Sequence, residues 1–338
     1  MTLRSGAAGL GERGFRAGLT WLSHRRALGR LATRIPVTRP MVARFVVGQT
    51  LDEALVAIER LRTAGYATTV DVLGESVTAA DSAIAAADRY EATLQALAER
   101  GLDRNVSMKL TQMGLDIDVD LCRATVERVF RAAAELGAFV RIDMEDHTKT
   151  DATLDLWRAV RRWNPSSGVV IQAALRRSPA DIERLIAEGA PVRLCKGAYN
   201  EPASIAFRER AAIDRAYVDL GVRLLRAGIP AGARPAFATH DGRIVEQLIR
   251  VADGDGIPPD AYEFQMLNGV RRDLQASLVR RGFGVRVYVP YGTEWYPYFM
   301  RRLAERPANV AFMLRSVVKE GRGRRQPPKP NEGAPPPG

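Results

Sequence analysis

Cysteine, histidine and lysine are all scarce in this 338-residue sequence. Two cysteines, Cys122 and Cys195, cannot build a disulfide framework and suit a reducing compartment, so a cytoplasmic location is expected. The histidines have no partners at ligand spacing, which excludes the common zinc sites, and no metal is expected. No stretch approaches the roughly 18 consecutive apolar residues of a transmembrane helix. There is no P-loop and no G-x-S-x-G elbow. A formal G-x-G-x-x-G runs from Gly9 to Gly14, but no strand precedes it, so it does not make a dinucleotide fingerprint. Hydrophobic content of 46% and charged content of 26% exclude collagen-like, coiled-coil and wholly disordered chains.

The basic residues are almost all arginine, which makes each lysine worth locating. The net charge of +11 sits at the two ends, in residues 1–45 and 319–338, while the body between them is electrically balanced. A body that tracked a phosphate backbone would carry its own basic face, so no nucleic-acid partner is expected. The basic ends suit peripheral contact with an anionic membrane surface. Residues 1–45, with Phe15, Leu19 and Leu22 at helical spacing, read as an N-terminal helical arm, although their composition overlaps with that of transit peptides. Residues 46–318 form the body, and 319–338, rich in Pro, Gly and charge, read as a disordered tail.

Within the body one pattern repeats: a short β-branched run, a polar or glycine turn, then an apolar stripe with a period of 3.6. Strands are predicted at 67–74, 105–112, 139–146, 168–175, 192–199, 235–241, 262–269 and 285–292. Helices fill the gaps at 78–99, 119–136, 150–162, 179–188, 203–227, 242–252, 271–281 and 296–306. A further helix at 52–64 precedes the first strand, and another at about 308–318 closes the body. Eight strand–helix units are the arithmetic of a (β/α)8 barrel, an α/β fold whose active site lies at the C-terminal ends of its strands.

Polar residues recur at those ends, where buried parallel strands should be apolar. Lys109 ends the second strand, and Asp143, Glu145 and Asp146 end the third, with His147 just beyond. Gln172 lies in the fourth strand, Arg193 and Lys196 bracket the fifth, and Thr239, His240 and Asp241 end the sixth. Gln265 and Tyr288 lie in the last two. Singly, each could be a satisfied structural group; together they would be costly to bury without a ligand. On the last helix, Tyr298, Arg301, Arg302 and Glu305 share a face, and two adjacent guanidiniums can clamp a carboxylate or phosphate. On this basis alone the chain is a barrel enzyme with an anionic ligand.

The motifs KLTQMGLD (109–116), RIDMED (141–146), RLCKGAYNEP (193–202), FATHD (237–241), YEFQMLNGV (262–270) and 288–316 occur in an order that resembles the proline dehydrogenases. The spacing from Tyr288 to Arg301 is similar to that of the stand-alone bacterial enzymes. The resemblance implies a distorted (β/α)8 barrel that holds FAD, with the final helix over the site. It also implies oxidation of L-proline to Δ1-pyrroline-5-carboxylate, by hydride transfer from C5 to flavin N5 with a quinone as electron acceptor.

By the same resemblance, Arg193 lies near flavin N5, and Met144, Gln172, Lys196, Gly197, Ala198, Thr239, His240 and Glu305 contact the cofactor. Arg301 and Arg302 would bind the proline carboxylate, and Lys109, Leu267, Tyr288 and Tyr298 would complete the substrate pocket. Asp143 would pair with the Arg/Lys set and support catalysis, and Glu75 would be a gate acid near the first strand. Asn268 and Ala174 depart from the family pattern. One rival is a Schiff-base lyase or aldolase on the same barrel, with Lys109 or Lys196 as nucleophile. Another is a non-catalytic binding module that works through the basic ends.

Overall fold

The computed structural model describes residues 45–305, with side chains described as far as Met300. The expected N-terminal arm, the helix near 308–318 and the C-terminal tail lie outside the described residues. Helix α1 (Leu51–Thr63) leads into eight strands: β1 (Ala67–Val72), β2 (Asn105–Met108), β3 (Phe139–Ile142), β4 (Gly168–Gln172), β5 (Val192–Cys195), β6 (Ala236–Ala238), β7 (Glu263–Leu267) and β8 (Gly284–Tyr291). Between them run α2 (Ala80–Glu99), α3 (Val119–Glu135), α4 (Thr150–Val160), α5 (Ser178–Ala187), α6 (Arg210–Arg223), α7 (Gly242–Gly254) and α8 (Arg272–Arg280). Helix α9 (Trp295–Glu305) follows β8. The strands are parallel and close in sequence order, with β1 paired to β8 from Ala67↔Arg286 to Val72↔Tyr291. The barrel and its helices, through Trp295, make one compact unit, and α9 from Tyr296 onward belongs to a second.

Local chemistry sets the helix starts. Thr50 and Glu53 form a reciprocal capping box at α1. Asp118 accepts from the Leu121 N–H at 2.8 Å to open α3, and Asp241 accepts from the Arg243 N–H at 3.1 Å to open α7. Alternation then divides each strand. Val70 and Val72 of β1 belong to the core between sheet and helices, whereas Thr69 turns into the bore and meets the Ser107 hydroxyl at 3.1 Å.

Two expectations need correction. All eight strands lie where predicted, but most end several residues early, so most of the polar rim residues lie in the loops that follow. The helix predicted at 203–227 begins only at Arg210. Residues 203–207 instead turn back on the loop after β4: Arg176 N–H donates to Ile205 O at 2.9 Å and Phe207 N–H to Ala174 O at 2.8 Å. These bonds compete successfully with a helical first turn.

Candidate active site

The bore of this barrel is filled with charge rather than with the branched aliphatic layers common to the fold. At its N-terminal end, Arg286 donates from Nε to Glu263 Oε1 at 2.8 Å and from Nη1 to the Thr68 carbonyl at 2.6 Å, and it also pairs with Asp103. Burial alone would push the Glu263 carboxyl up; the Arg286 guanidinium overcomes this and holds it down at about 2. Arg141 crosses beneath β4 and donates to the carbonyls of Val169 at 3.0 Å and Pro191 at 2.9 Å. Burial pulls this guanidinium well below its ordinary value. Gly168 makes the room: a Cβ there would lie 2.2 Å from Pro191 O and 2.9 Å from Arg141 Nη1.

Arg193 rises from β5 in the middle of the bore, with each of its three nitrogens engaged. Nη1 donates to Asp143 Oδ1 at 2.7 Å, Nη2 to Ser107 Oγ at 2.9 Å and Nε to Gln265 Oε1 at 2.5 Å. The second oxygen of Asp143 accepts from the Tyr288 hydroxyl at 2.8 Å. Burial and the Asp143 carboxylate push that phenol well above its ordinary value, so it stays a donor. The Arg193 guanidinium also sits 5.4 Å from the Tyr288 ring centre.

Lys109 Nζ lies 3.3 Å from both carboxylate oxygens of Asp71. Asp71 is fully buried; burial raises its carboxyl above the usual range, with Lys109 opposing and Asp143 adding to the rise. Sequence reasoning missed this partner. Its signal was an acid inside the β-branched run ATTVDV, in phase with Thr69 and so on the bore face.

The other side of the rim, from β3 to β6, is built differently. Gln172 is buried and donates to the Glu145 carbonyl at 2.6 Å, and the Glu145 carboxylate accepts from the Thr111 N–H at 3.0 Å and from its hydroxyl at 2.6 Å. Gly197 has φ +104°, and a Cβ there would lie 2.9 Å from Gln172 Oε1 and 3.2 Å from Ala174 Cβ. The chain therefore passes close over Gln172 at Gly197 and Ala198, both exposed. Lys196 pairs with Asp214, and with Asp241 at 3.3 Å. Thr239 accepts from the Asp241 N–H at 3.2 Å, and His240 Nε2 accepts from the Leu267 N–H at 3.0 Å. His147 pairs through Nδ1 with the buried Glu201, another partner that sequence reasoning missed, and this joins the loops after β3 and β5.

The structure thus brings Lys109, Asp143, Arg193, Leu267 and Tyr288 to the C-terminal mouth of the bore, with Met144, Gln172, Lys196, Gly197, Ala198, Thr239 and His240 on the adjoining loops and strand ends. Glu75 lies in the loop after β1 and Tyr298 on α9. Arg301, Arg302 and Glu305 also lie on α9, but their side chains are outside the described residues. No group of three or more metal-ligating side chains occurs among the described residues.

The family model for proline dehydrogenase matches residues 54–315. The chain belongs to the proline dehydrogenase family. Proline dehydrogenase 1 of Bacillus subtilis subsp. natto is 38% identical over 283 residues, which cover 84% of this chain and 92% of that protein. The proline dehydrogenase of Deinococcus radiodurans is 38% identical over 284 residues, covering 82% of this chain and 90% of that one. Among solved structures, proline utilization A (PutA) of Bdellovibrio bacteriovorus, inactivated by N-propargylglycine, superposes with a TM-score of 0.72 at 29% identity. That match covers 78% of this chain and 32% of the PutA chain, so this chain spans about a third of the solved protein. The chain is therefore an oxidoreductase that acts on proline, on a barrel of the TIM type.

Proposed function

We propose that this chain oxidises L-proline to Δ1-pyrroline-5-carboxylate with FAD, passing the electrons to a quinone. The observation that carries the reading is the Arg193 guanidinium, held by three partners at the centre of the polar mouth. The β3–β6 side of the rim fits a flavin dinucleotide. A backbone that can be approached closely at Gly197, an amide at Gln172, the Lys196 cation and the Thr239 hydroxyl are the donors that a ribityl–diphosphate chain requires. Met144, Ala198, His240 and Glu305 complete the proposed cofactor contacts. When bound, FAD would supply an acceptor at N5 for the hydride of proline C5.

The chain's own groups do the rest. The proposed role of Arg301 and Arg302 is a bidentate clamp on the substrate carboxylate, which fixes C5 against the acceptor. The Lys109 cation disfavours an ammonium on the substrate, and hydride loss requires the neutral amine. Tyr288 and Leu267 wall the ring, and Tyr298 is a further proposed contact of the substrate. Both oxygens of Asp143 are engaged by Arg193 and Tyr288, and its proposed role is to orient those two partners. A guanidinium at Arg193 would stabilise the negative charge of the reduced cofactor. The Schiff-base rival gains nothing here: Lys109 and Lys196 both sit in ion pairs with carboxylates rather than in an apolar pocket. Among the described residues no helix is long and apolar enough to cross a membrane. The charge of the basic ends is what supports peripheral contact as the route to a membrane quinone.

The test is the visible spectrum of the purified protein before and after anaerobic L-proline. Flavin bands that bleach on addition of proline are expected. Bands unmoved by proline would reopen the substrate, and a colourless protein that gains no bands with added FAD would overturn the flavin reading.

A further inference from the structure

Arg193 does not stand alone in the bore. Its Nε–H needs an acceptor, and the amide of Gln265 supplies one only if its oxygen, not its nitrogen, faces Arg193. The other end of that amide decides the matter. Gln265 Nε2 donates to Glu263 Oε1 at 2.5 Å, and a carboxylate accepts only from the nitrogen end. Glu263 is fixed in turn by Arg286, through Nε to Oε1 at 2.8 Å and Nη2 to Oε2 at 3.2 Å. Arg286 is anchored to the Thr68 carbonyl at 2.6 Å and to Asp103. Arg193, Gln265, Glu263 and Arg286 are 5%, 3%, 6% and 8% exposed, so solvent cannot replace a lost partner.

We infer that Glu263, although it is at the far end of the bore from the reaction, is a positioning residue: through the Gln265 amide it aims the Arg193 guanidinium at the site of hydride acceptance. The inference rests on the proposed placement of Arg193 beside the flavin. Asp143 and Ser107 hold one side of that guanidinium, and Gln265 holds the other. If Glu263 loses its charge, the Gln265 amide can turn over. Its NH2 then meets the Arg193 Nε–H, donor against donor, and the guanidinium must swing away.

Charge alone predicts the opposite sign, which makes the inference testable. Removal of a buried carboxylate leaves the bore more positive and should favour the reduced cofactor. Misdirection of Arg193 should disfavour it. The experiment is the midpoint potential of the FAD-loaded protein, with kcat and KM for proline, in Arg193→Met, Glu263→Gln, Gln265→Met and the double variant Arg193→Met/Glu263→Gln. Glu263→Gln and Gln265→Met are each expected to lower the reduction equilibrium about tenfold, which is about 30 mV for a two-electron couple. The expected kinetic change is a fall in kcat with KM for proline within about twofold. In the Arg193→Met background, Glu263→Gln should lower the potential no further, because the two act through one path.

A potential that is unmoved or raised in both Glu263→Gln and Gln265→Met, while Arg193→Met lowers it, overturns the inference and spares the function. An unmoved potential in Arg193→Met overturns the placement of Arg193, and the inference with it. Should Glu263→Gln fail to fold, Gln265→Met carries the test, since it leaves the Glu263–Arg286 pair intact.

Discussion

The two ends of the bore are both lined with ions but neutralise them differently. At the N-terminal end, Glu263 and Arg286 are buried and spend their hydrogen bonds within the protein, and the buried Arg141 donates from Nη1 to two carbonyls. At the C-terminal mouth, Lys109, Asp143 and Tyr288 are paired as well but only partly buried. A closed ion network contributes rigidity and cooperativity; a half-closed one keeps a field available to a ligand. The lesson is that charge in a barrel core does not by itself mark a site. The degree to which the charges are already satisfied does.

That contrast can be broken most severely at the floor. Arg286→Leu would leave the buried Glu263 carboxylate with Arg234, 3.6 Å away and half exposed, as its remaining cation, at a cost of about 3 kcal/mol. Calorimetry should find Tm lower by about 5 °C; a fall of a degree or less would mean that the floor is not a closed network. The acid limb of stability is the next largest effect. Glu263 is held at about 2 in the folded protein against an ordinary 4.5. Its depressed value contributes stability that is complete above 4.5 and is lost as pH falls towards 2, amounting to about 3 kcal/mol. Urea unfolding from pH 2 to 6 should show the gap between the native protein and Glu263→Gln closing as pH falls; a constant gap would refute this.

At the mouth the balance should reverse, with function moving more than stability. Asp71→Asn removes a carboxylate that burial already disfavours, while Lys109 keeps access to water. Its stability should change by less than about 1 kcal/mol, whereas kcat/KM for proline should fall about tenfold, or 1.4 kcal/mol. Unaltered kinetics would remove Lys109 from the substrate pocket. Gly197→Ala sharpens the other side of the rim. Its positive φ and the nearby Gln172 Oε1 should weaken the proposed FAD binding by about 1 kcal/mol, readable as a several-fold rise in Kd by flavin fluorescence.

Much of this was legible in the sequence, for physical reasons. The strand–helix alternation is written in apolar periodicity, and the mouth announced itself because Lys109, Asp143 and Arg193 interrupt runs that should be apolar. Asp71 and Glu263 were harder. Each is an acid in an apolar strand, yet its meaning depends on a cation brought to it by barrel closure, and spacing along the chain does not reveal which one. The same holds for Glu201, whose partner His147 is 54 residues away. The early start expected for α6 failed because residues 203–207 carry a helical apolar pattern but find better backbone partners on the neighbouring loop.

The chain of groups through the bore also bears on how the molecule folds. Arg286 bonds to Thr68 across 218 residues of sequence, and Arg193 to Gln265 across 72. The Arg193 bond must wait for β7, and the Arg286 bond cannot form until β8 has arrived and the barrel has shut. Ordering the long intervening chain must precede the reward, which makes closure a late event. A nascent chain that ends before β8 would hold Glu263 on an open sheet without Arg286, its nearest cation. Half of this barrel is thus not a smaller version of the whole, and the last strand to leave the ribosome is the one that locks the first in place.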